Sequence, residues 1–284
     1  MRRLLMICLM TIASLLAVPS FAWAQTAPCN ALPGPKKAAA SDILKSLHSY
    51  GCCTDTIAAC LVKRPGCTVA TRLANEVCRR IDKGEDRPAI ENAIALRTQS
   101  MTSTAPPVPI DLSSTQVAGD PSSPVTAVIY ICGRCPFCAK LEPRLYDLVT
   151  AGSLKGKVKL YVRAFPIRSH ANSTEAGLGM VAAERMGNIW GFLRELYKNF
   201  DSFDVAKLPD YAAAAGLDPA AFRAQMDDPT TRSRLVASKK EGTRNKVDAT
   251  PTLFIDGRMW LGEMSFNEVE DVLDEAAERA GAHR

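Results

Sequence analysis

The residues Ile131-Cys132-Gly133-Arg134-Cys135-Pro136-Phe137-Cys138 carry three cysteines directly after an apolar run, Val125 to Ile131. Thiols at this spacing serve one of three chemistries: a metal clip, a structural staple, or a pair that takes and gives electrons. A zinc ribbon needs a second Cys-x-x-Cys or a histidine pair. The sequence after residue 104 supplies neither, so no metal is expected. A cysteine in the first turn of a helix meets unpaired backbone N–H groups and the positive end of the helix dipole, which lowers its pKa and makes it reactive. Cys135 has that position. Pro136 suits a first turn because the N–H it lacks has no partner there, and Cys138, three residues on, returns to the same face within disulfide reach. Arg134 is expected to add a positive charge nearby. For Cys132 two readings stand, a buried free thiol at the strand end or a third redox thiol that competes with Cys138 for Cys135.

The elements that must position these residues are legible on either side. Val125 to Ile131 is continuously apolar, as in a strand buried on both faces. CAKLEPRLYDLV reads as a helix and Val158 to Phe165 as a second strand. Residues 173–247 are helical in character, with breaks at Gly216, Pro219 and Pro229, and AGLGMVAAERMGNIWGFLRELYKN is the clearest amphipathic stretch. Trp190, Phe192, Leu193, Leu196 and Tyr197 form one face of it, most simply packed on the core. Thr252 to Ile255, the turn Asp256-Gly257 and Arg258 to Leu261 read as a hairpin, and a last helix runs from Phe266 to about Ala280. GLGMVA, residues 177–182, matches a dinucleotide fingerprint by letters. It lies inside a helical run and not at a strand end, so the match is chance.

Residues 100–124 are rich in Pro, Ser and Thr and mark a linker, with Ile110-Asp111-Leu112 as a short edge strand leading into the next domain. Upstream, Ile43, Leu44 and Leu47 share a helix face and Leu73, Val77 and Ile81 share another. Thr68 and Asp86 are expected N-caps and Gly84 a stop. A bundle of three or four helices is expected here, marginal on core burial alone and supplied with six cysteines, Cys29, Cys52, Cys53, Cys60, Cys67 and Cys78, whose pairing the sequence leaves open.

Arg2 and Arg3, the apolar run Leu4 to Val18 and Ala22-Trp23-Ala24 read as a cleaved signal peptide and place the chain in the periplasm or outside the cell. Export brings an oxidising environment in which thiols pair. The composition, 47% hydrophobic and 23% charged, is that of a globular protein. Its basic residues are scattered, which excludes a nucleic-acid footprint.

From the cysteine site onward the chain resembles the thioredoxin-fold disulfide oxidoreductases of the DsbA family over roughly residues 108–280. The resemblance rests on GDPSSPVTAVIY leading into CPFC, on FPIRSH (165–170), on WGFLRELY and YAAAAGLDPAAF, and on ATPTLFIDGRMWLG (249–262). It implies an α/β thioredoxin fold with an inserted helical subdomain, preceded by the small cysteine-rich α-helical domain. The expected organisation is a signal peptide over 1–24, the helical domain over 25–103, a linker over 104–124, and the thioredoxin-like domain over 125–284 with its insert at about 172–247.

The same resemblance implies Cys135 as nucleophile, Cys138 as its buried partner, and Thr250-Pro251 as a cis-proline platform where a substrate chain docks as an added strand. Pro136, Phe137 and Arg134 support the helix and the site. It further implies protein substrates with thiols or disulfides, a membrane redox partner and no cofactor. Direction stays open: strongly oxidising members carry His where Phe137 stands, and Thr before the proline occurs in isomerase and reductase relatives. His170 lies in the FPIRSH loop and reads as structural; His48 and His283 suggest nothing. Residues 47–97 are loosely similar to the CcmH-type thiol module of cytochrome c maturation, although Cys52 and Cys53 are adjacent where that module spaces its pair. Disulfide staples in a docking or homodimerising module are the simpler reading. The alternative to an enzyme is a non-catalytic binding or chaperone module whose cysteines only staple the fold.

Overall fold

The computed structural model describes residues 26–282, so the expected signal peptide and His283 lie outside the described residues. The chain begins with α1 (Ala27–Ala31), α2 (Gly34–Ser46), α3 (Ile57–Lys63), α4 (Thr68–Asp82) and α5 (Arg87–Thr102). After the linker come β1 (Val125–Ile131), α6 (Pro136–Thr150) and β2 (Val158–Ala164). Then follow α7 (Ser173–Arg185), α8 (Ile189–Lys198), α9 (Leu208–Ala214), α10 (Pro219–Asp227) and α11 (Pro229–Arg244). The chain closes with β3 (Thr252–Ile255), β4 (Arg258–Met259) and α12 (Phe266–Ala282).

The four strands form one sheet in the order β2-β1-β3-β4, with β1 parallel to β2 and antiparallel to β3, and β3 antiparallel to β4. Alternation along β1 feeds two cores. Ala127, Ile129 and Ile131 join the main core, which runs on into the amino-terminal helices. Val128 and Tyr130 face a smaller cluster with Phe165, Val247 and Phe254. Gly242 of α11 lets the helix close on that second face, since a Cβ there would come within 2.8 Å of the Phe165 ring. This sheet order, with its cysteine-bearing helix following the central strand, is a thioredoxin fold.

Three expectations need correction. Ile110-Asp111-Leu112 is not a strand. Pro106, Pro107 and Pro109 cannot donate to a ladder, the Asp111 N–H goes to Glu241 Oε2 at 2.8 Å, and the Val108 N–H goes to the Gly257 carbonyl. Strand-like pairing in the linker is confined to a single bridge, Ala118 to Leu160. The amphipathic stretch at 176–199 is two helices: Gly187 takes φ +90° and Asn188 caps α8 by accepting from the Gly191 N–H. Thr68 does not cap α4; Cys67 holds that position, and the Thr68 hydroxyl donates to Glu278 at 2.7 Å. Asp86 does cap α5, accepting from Ala89, after Gly84 at φ +84°.

The amino-terminal module has five helices and three disulfides, Cys29–Cys78, Cys52–Cys67 and Cys53–Cys60. None of the six is a free thiol. The module is seated on α12. Arg72 pairs with Asp274 and Glu278, Arg79 with Asp271, and Arg80 with Glu268. Arg97, fully buried, pairs with Glu275 at 3.2 Å. Leu73 and Val77 of α4 are fully buried in the core that the module shares with the rest of the chain.

Candidate active site

Strand β1 ends against a turn in which the Cys135 N–H donates to the Cys132 carbonyl at 3.0 Å, and Cys135 then becomes the N-cap of α6 with Pro136 in the first helical position. The Cys135 thiol therefore faces the backbone N–H groups of Phe137 and Cys138. Cys138 lies one turn into the helix, fully buried. Neither Cys135 nor Cys138 is bonded to the six cysteines of the amino-terminal helices, which pair among themselves.

Strand β3 brings the second half of the site. The Thr250–Pro251 peptide is cis, and the Cys135 Sγ donates to the Thr250 carbonyl at 3.2 Å. Residues 115 positions apart thus meet at one sulfur. The Thr250 hydroxyl is buried without a hydrogen-bond partner and stands close enough to support a thiolate.

The two thiols are driven apart in acidity. A hydrogen bond from the Cys138 thiol is the largest cause that lowers Cys135; the Cys138 and Phe137 N–H groups and the Thr250 hydroxyl add to it. Together they outweigh burial and bring Cys135 to about 5. Cys138 moves well above the ordinary thiol value, first because of burial, then because of the hydrogen bond it gives Cys135 and the Cys135 charge. One sulfur is a thiolate at neutral pH while the other keeps its proton.

The supporting residues divide. Phe137 is 68% exposed and contributes its backbone, not its ring, to Cys135. Arg134 is not a counter-charge for the thiolate. Its Nη1 donates to the Phe200 carbonyl at 2.8 Å and its guanidinium stacks on the Phe200 and Phe203 rings, because the helical insert offers it both a carbonyl and two aromatic faces. Cys132 is buried and free; burial raises its pKa, and His170 Nδ1 lies 3.4 Å from its sulfur.

Two neighbours were missed from sequence. Glu142 lies four residues beyond Cys138 on the buried face of α6, and burial pushes its carboxyl up to about 8. Its place between the core positions Leu141 and Leu145 was the available signal. Tyr197, whose hydroxyl donates to the Cys132 carbonyl at 3.3 Å, roofs the thiols from α8. Read from sequence as a packing residue, it also reaches the turn before Cys135.

Sheet order, the helix-capping cysteine and the facing Thr250-Pro251 define a thioredoxin-fold protein with a Cys-Pro-Phe-Cys pair. A thioredoxin family model matches residues 112–275, more than half of the chain, and the chain belongs to that family. Among solved structures the fold resembles oxidised BdbD from Bacillus subtilis, with TM-score 0.53 and 18% identity over 62% of this chain and 100% of that one. It also resembles α-DsbA1 from Wolbachia pipientis, with TM-score 0.52 and 19% identity over 61% of this chain and 96% of that one. Curated relatives include the Na(+)/H(+) antiporters NhaA 1 of Mycolicibacterium gilvum, 32% identical over 158 residues, and NhaA 3 of Salinispora tropica, 29% identical over 156 residues. The matches take 54% and 55% of this chain but 25% and 24% of those proteins, so the chain spans about a quarter of their length. No helix among the described residues is long and apolar enough to cross a membrane.

Proposed function

We propose that this chain is an exported thiol–disulfide oxidoreductase that exchanges disulfides with cysteine-containing protein substrates, Cys135 acting as nucleophile, Cys138 as resolving thiol and Thr250-Pro251 as the docking platform. The observation that carries the reading is the separation of the two thiols, one lowered to about 5 and the other raised, beside a buried Thr250 hydroxyl with no other partner. A structural disulfide has no use for such a difference.

The chemistry follows from thiol exchange. With the pair oxidised, a substrate thiolate attacks the Cys135 sulfur, the Cys135–Cys138 bond breaks, and Cys138 leaves with the electron pair and takes up a proton. The second substrate thiolate then attacks the substrate sulfur of the mixed disulfide and expels Cys135 as a thiolate. Two electrons have passed to the pair and the substrate carries the disulfide. The reverse sequence reduces a substrate. A low Cys135 pKa stabilises the reduced state and the leaving thiolate, which favours the disulfide-donating direction. Phe137 offers no side-chain donor in the place of the histidine of strongly oxidising relatives, which limits that tendency. Each turnover leaves the pair in the opposite state, so a membrane redox partner is needed to restore it.

The test is exchange by purified protein. Oxidised wild type should oxidise a dithiol peptide and Cys135→Ser should lose this entirely. A wild type that neither oxidises a dithiol peptide nor reduces a disulfide one overturns the reading.

A further inference from the structure

A groove of about 420 Å³ runs beside the nucleophile between α6 and the loop that leads into α12. Phe137, Lys140 and Arg144 form one wall, Pro251 lies at its head, and Glu263 and Phe266 form the other. Lys140 and Arg144 are both exposed and one helical turn apart. Arg144 lies 3.5 Å from the centre of the Phe266 ring, and among the described residues neither cation has an acidic partner. The opposite wall has an acid, but it is already engaged. Glu263 is paired by Arg80 at 2.9 Å and by Lys83 at 3.2 Å, both from the amino-terminal module. Arg80 itself is fixed by Glu76, Glu85 and Glu268. The Trp260 indole N–H donates to the Glu263 carbonyl and holds the same loop.

The consequence is a charge balance that the thioredoxin-like domain alone would not have. Left unpaired, Glu263 would face Lys140 and Arg144 across the groove and cancel part of their field. With Arg80 and Lys83 on it, the groove presents two uncompensated cations above an apolar floor. We propose that this groove takes an extended segment of a substrate protein with a carboxylate beside its reactive cysteine, and that the amino-terminal module sets this preference by neutralising Glu263 through Arg80 and Lys83. This inference rests on the oxidoreductase reading, and it makes the cysteine-rich module a specificity element.

The experiment compares three thiol substrates of the oxidised protein: dithiothreitol, which is uncharged and too small to fill the groove, and two dithiol peptides that differ only in an Asp pair or a Lys pair after the first cysteine. At low salt the Asp peptide should exceed the Lys peptide in kcat/KM by about fivefold, the scale of an exposed charge pair. The preference should shrink as salt rises. Lys140→Glu with Arg144→Glu should reverse it. Lys83→Glu, at an exposed position that does not threaten folding, should weaken it from the amino-terminal side with dithiothreitol oxidation unchanged, as should Arg80→Met in the fraction that folds, since that change strands the buried Glu76 and Glu268. Equal rates for the two peptides, with dithiothreitol still oxidised, would sink this inference and leave the oxidoreductase reading intact. A preference that ignores Lys83→Glu and Arg80→Met would remove the module's part in it. Loss of dithiothreitol oxidation in wild type would overturn the oxidoreductase reading itself.

Discussion

The Cys135 sulfur and the Thr250 carbonyl are joined by a 3.2 Å hydrogen bond that only the thiol form can make, since a thiolate has no proton to donate. Once Cys135 ionises, the partner must become a donor, and the Thr250 hydroxyl, buried without another partner, is the group in place. Thr250→Val keeps the shape of the side chain and removes that donor. The Cys135 pKa should rise from about 5 by roughly one unit, the worth of one hydrogen bond to a charged group. Thiolate absorbance in the ultraviolet, followed against pH on the reduced protein, measures this; an unchanged midpoint would mean that the Cys138 thiol and the N–H groups of α6 hold the thiolate without Thr250.

The same lowered pKa has a sign in stability. The folded value lies below the ordinary thiol value, so the reduced protein gains stability above that ordinary value and loses it as pH falls through about 5. The oxidised protein has no such group. The stability of the reduced form relative to the oxidised form should therefore grow as pH rises from about 5 toward the ordinary thiol range, seen as the reduced form's denaturant midpoint moving upward relative to that of the oxidised form.

Cys132, Cys135 and Cys138 are all buried, but the thiol pKa is raised at Cys132 and Cys138 and lowered at Cys135, so among the described cysteines Cys135 is the thiolate at neutral pH. Brief alkylation of the native reduced protein, read by mass spectrometry, should add a single label at Cys135, and Cys132→Ala should leave exchange rates near wild type. A second label at Cys132, or slower exchange in that variant, would support a third redox thiol.

Much of this was legible because local chemistry decides it. The apolar run of β1, the Cys135-Pro136 helix start and the Thr250-Pro251 strand start are each specified by a few adjacent residues. What the sequence hid depends on long-range partners. Arg134 sits two residues from the thiolate's helix and still turns to Phe200, 66 positions away. Asp111 looks like a strand residue until Glu241 takes its N–H. The seating of the amino-terminal helices on α12 is carried by Arg–carboxylate pairs that read, in sequence, as ordinary charged surface.

Glu142 gives the next prediction. Burial holds its carboxyl as the acid up to about 8, above the value of 4.5 for a free side chain. A raised folded pKa contributes stability that is fully present below the unfolded pKa and is lost as pH rises through the folded one. Glu142→Gln removes the ionisation without changing the shape. It should match wild type at about pH 4, exceed it increasingly as pH rises from 4.5 toward about 8, and hold a constant excess of at most about 5 kcal/mol above that. Urea unfolding at several pH values checks this, and parallel stability curves would show that the carboxyl is solvated after all.

Arg97 tests whether the amino-terminal module is one cooperative unit with the rest. Its guanidinium is fully buried, 3.2 Å from Glu275 on α12, and Tyr50 donates to the same carboxylate at 2.9 Å. Arg97→Ala strands a buried charge, which costs about 3–5 kcal/mol. The triple replacement Arg97→Met, Glu275→Leu and Tyr50→Phe removes both charges and the hydroxyl that bonds them and should recover most of that loss, because apolar side chains of similar volume fill the site without a desolvation penalty. Circular dichroism and Cys135 reactivity, followed together through urea unfolding, should show one transition shifted in step for Arg97→Ala. If the helices melted in an earlier transition while Cys135 kept its low pKa, the module would be an independent domain, with no hold on Glu263 or the groove beside the nucleophile.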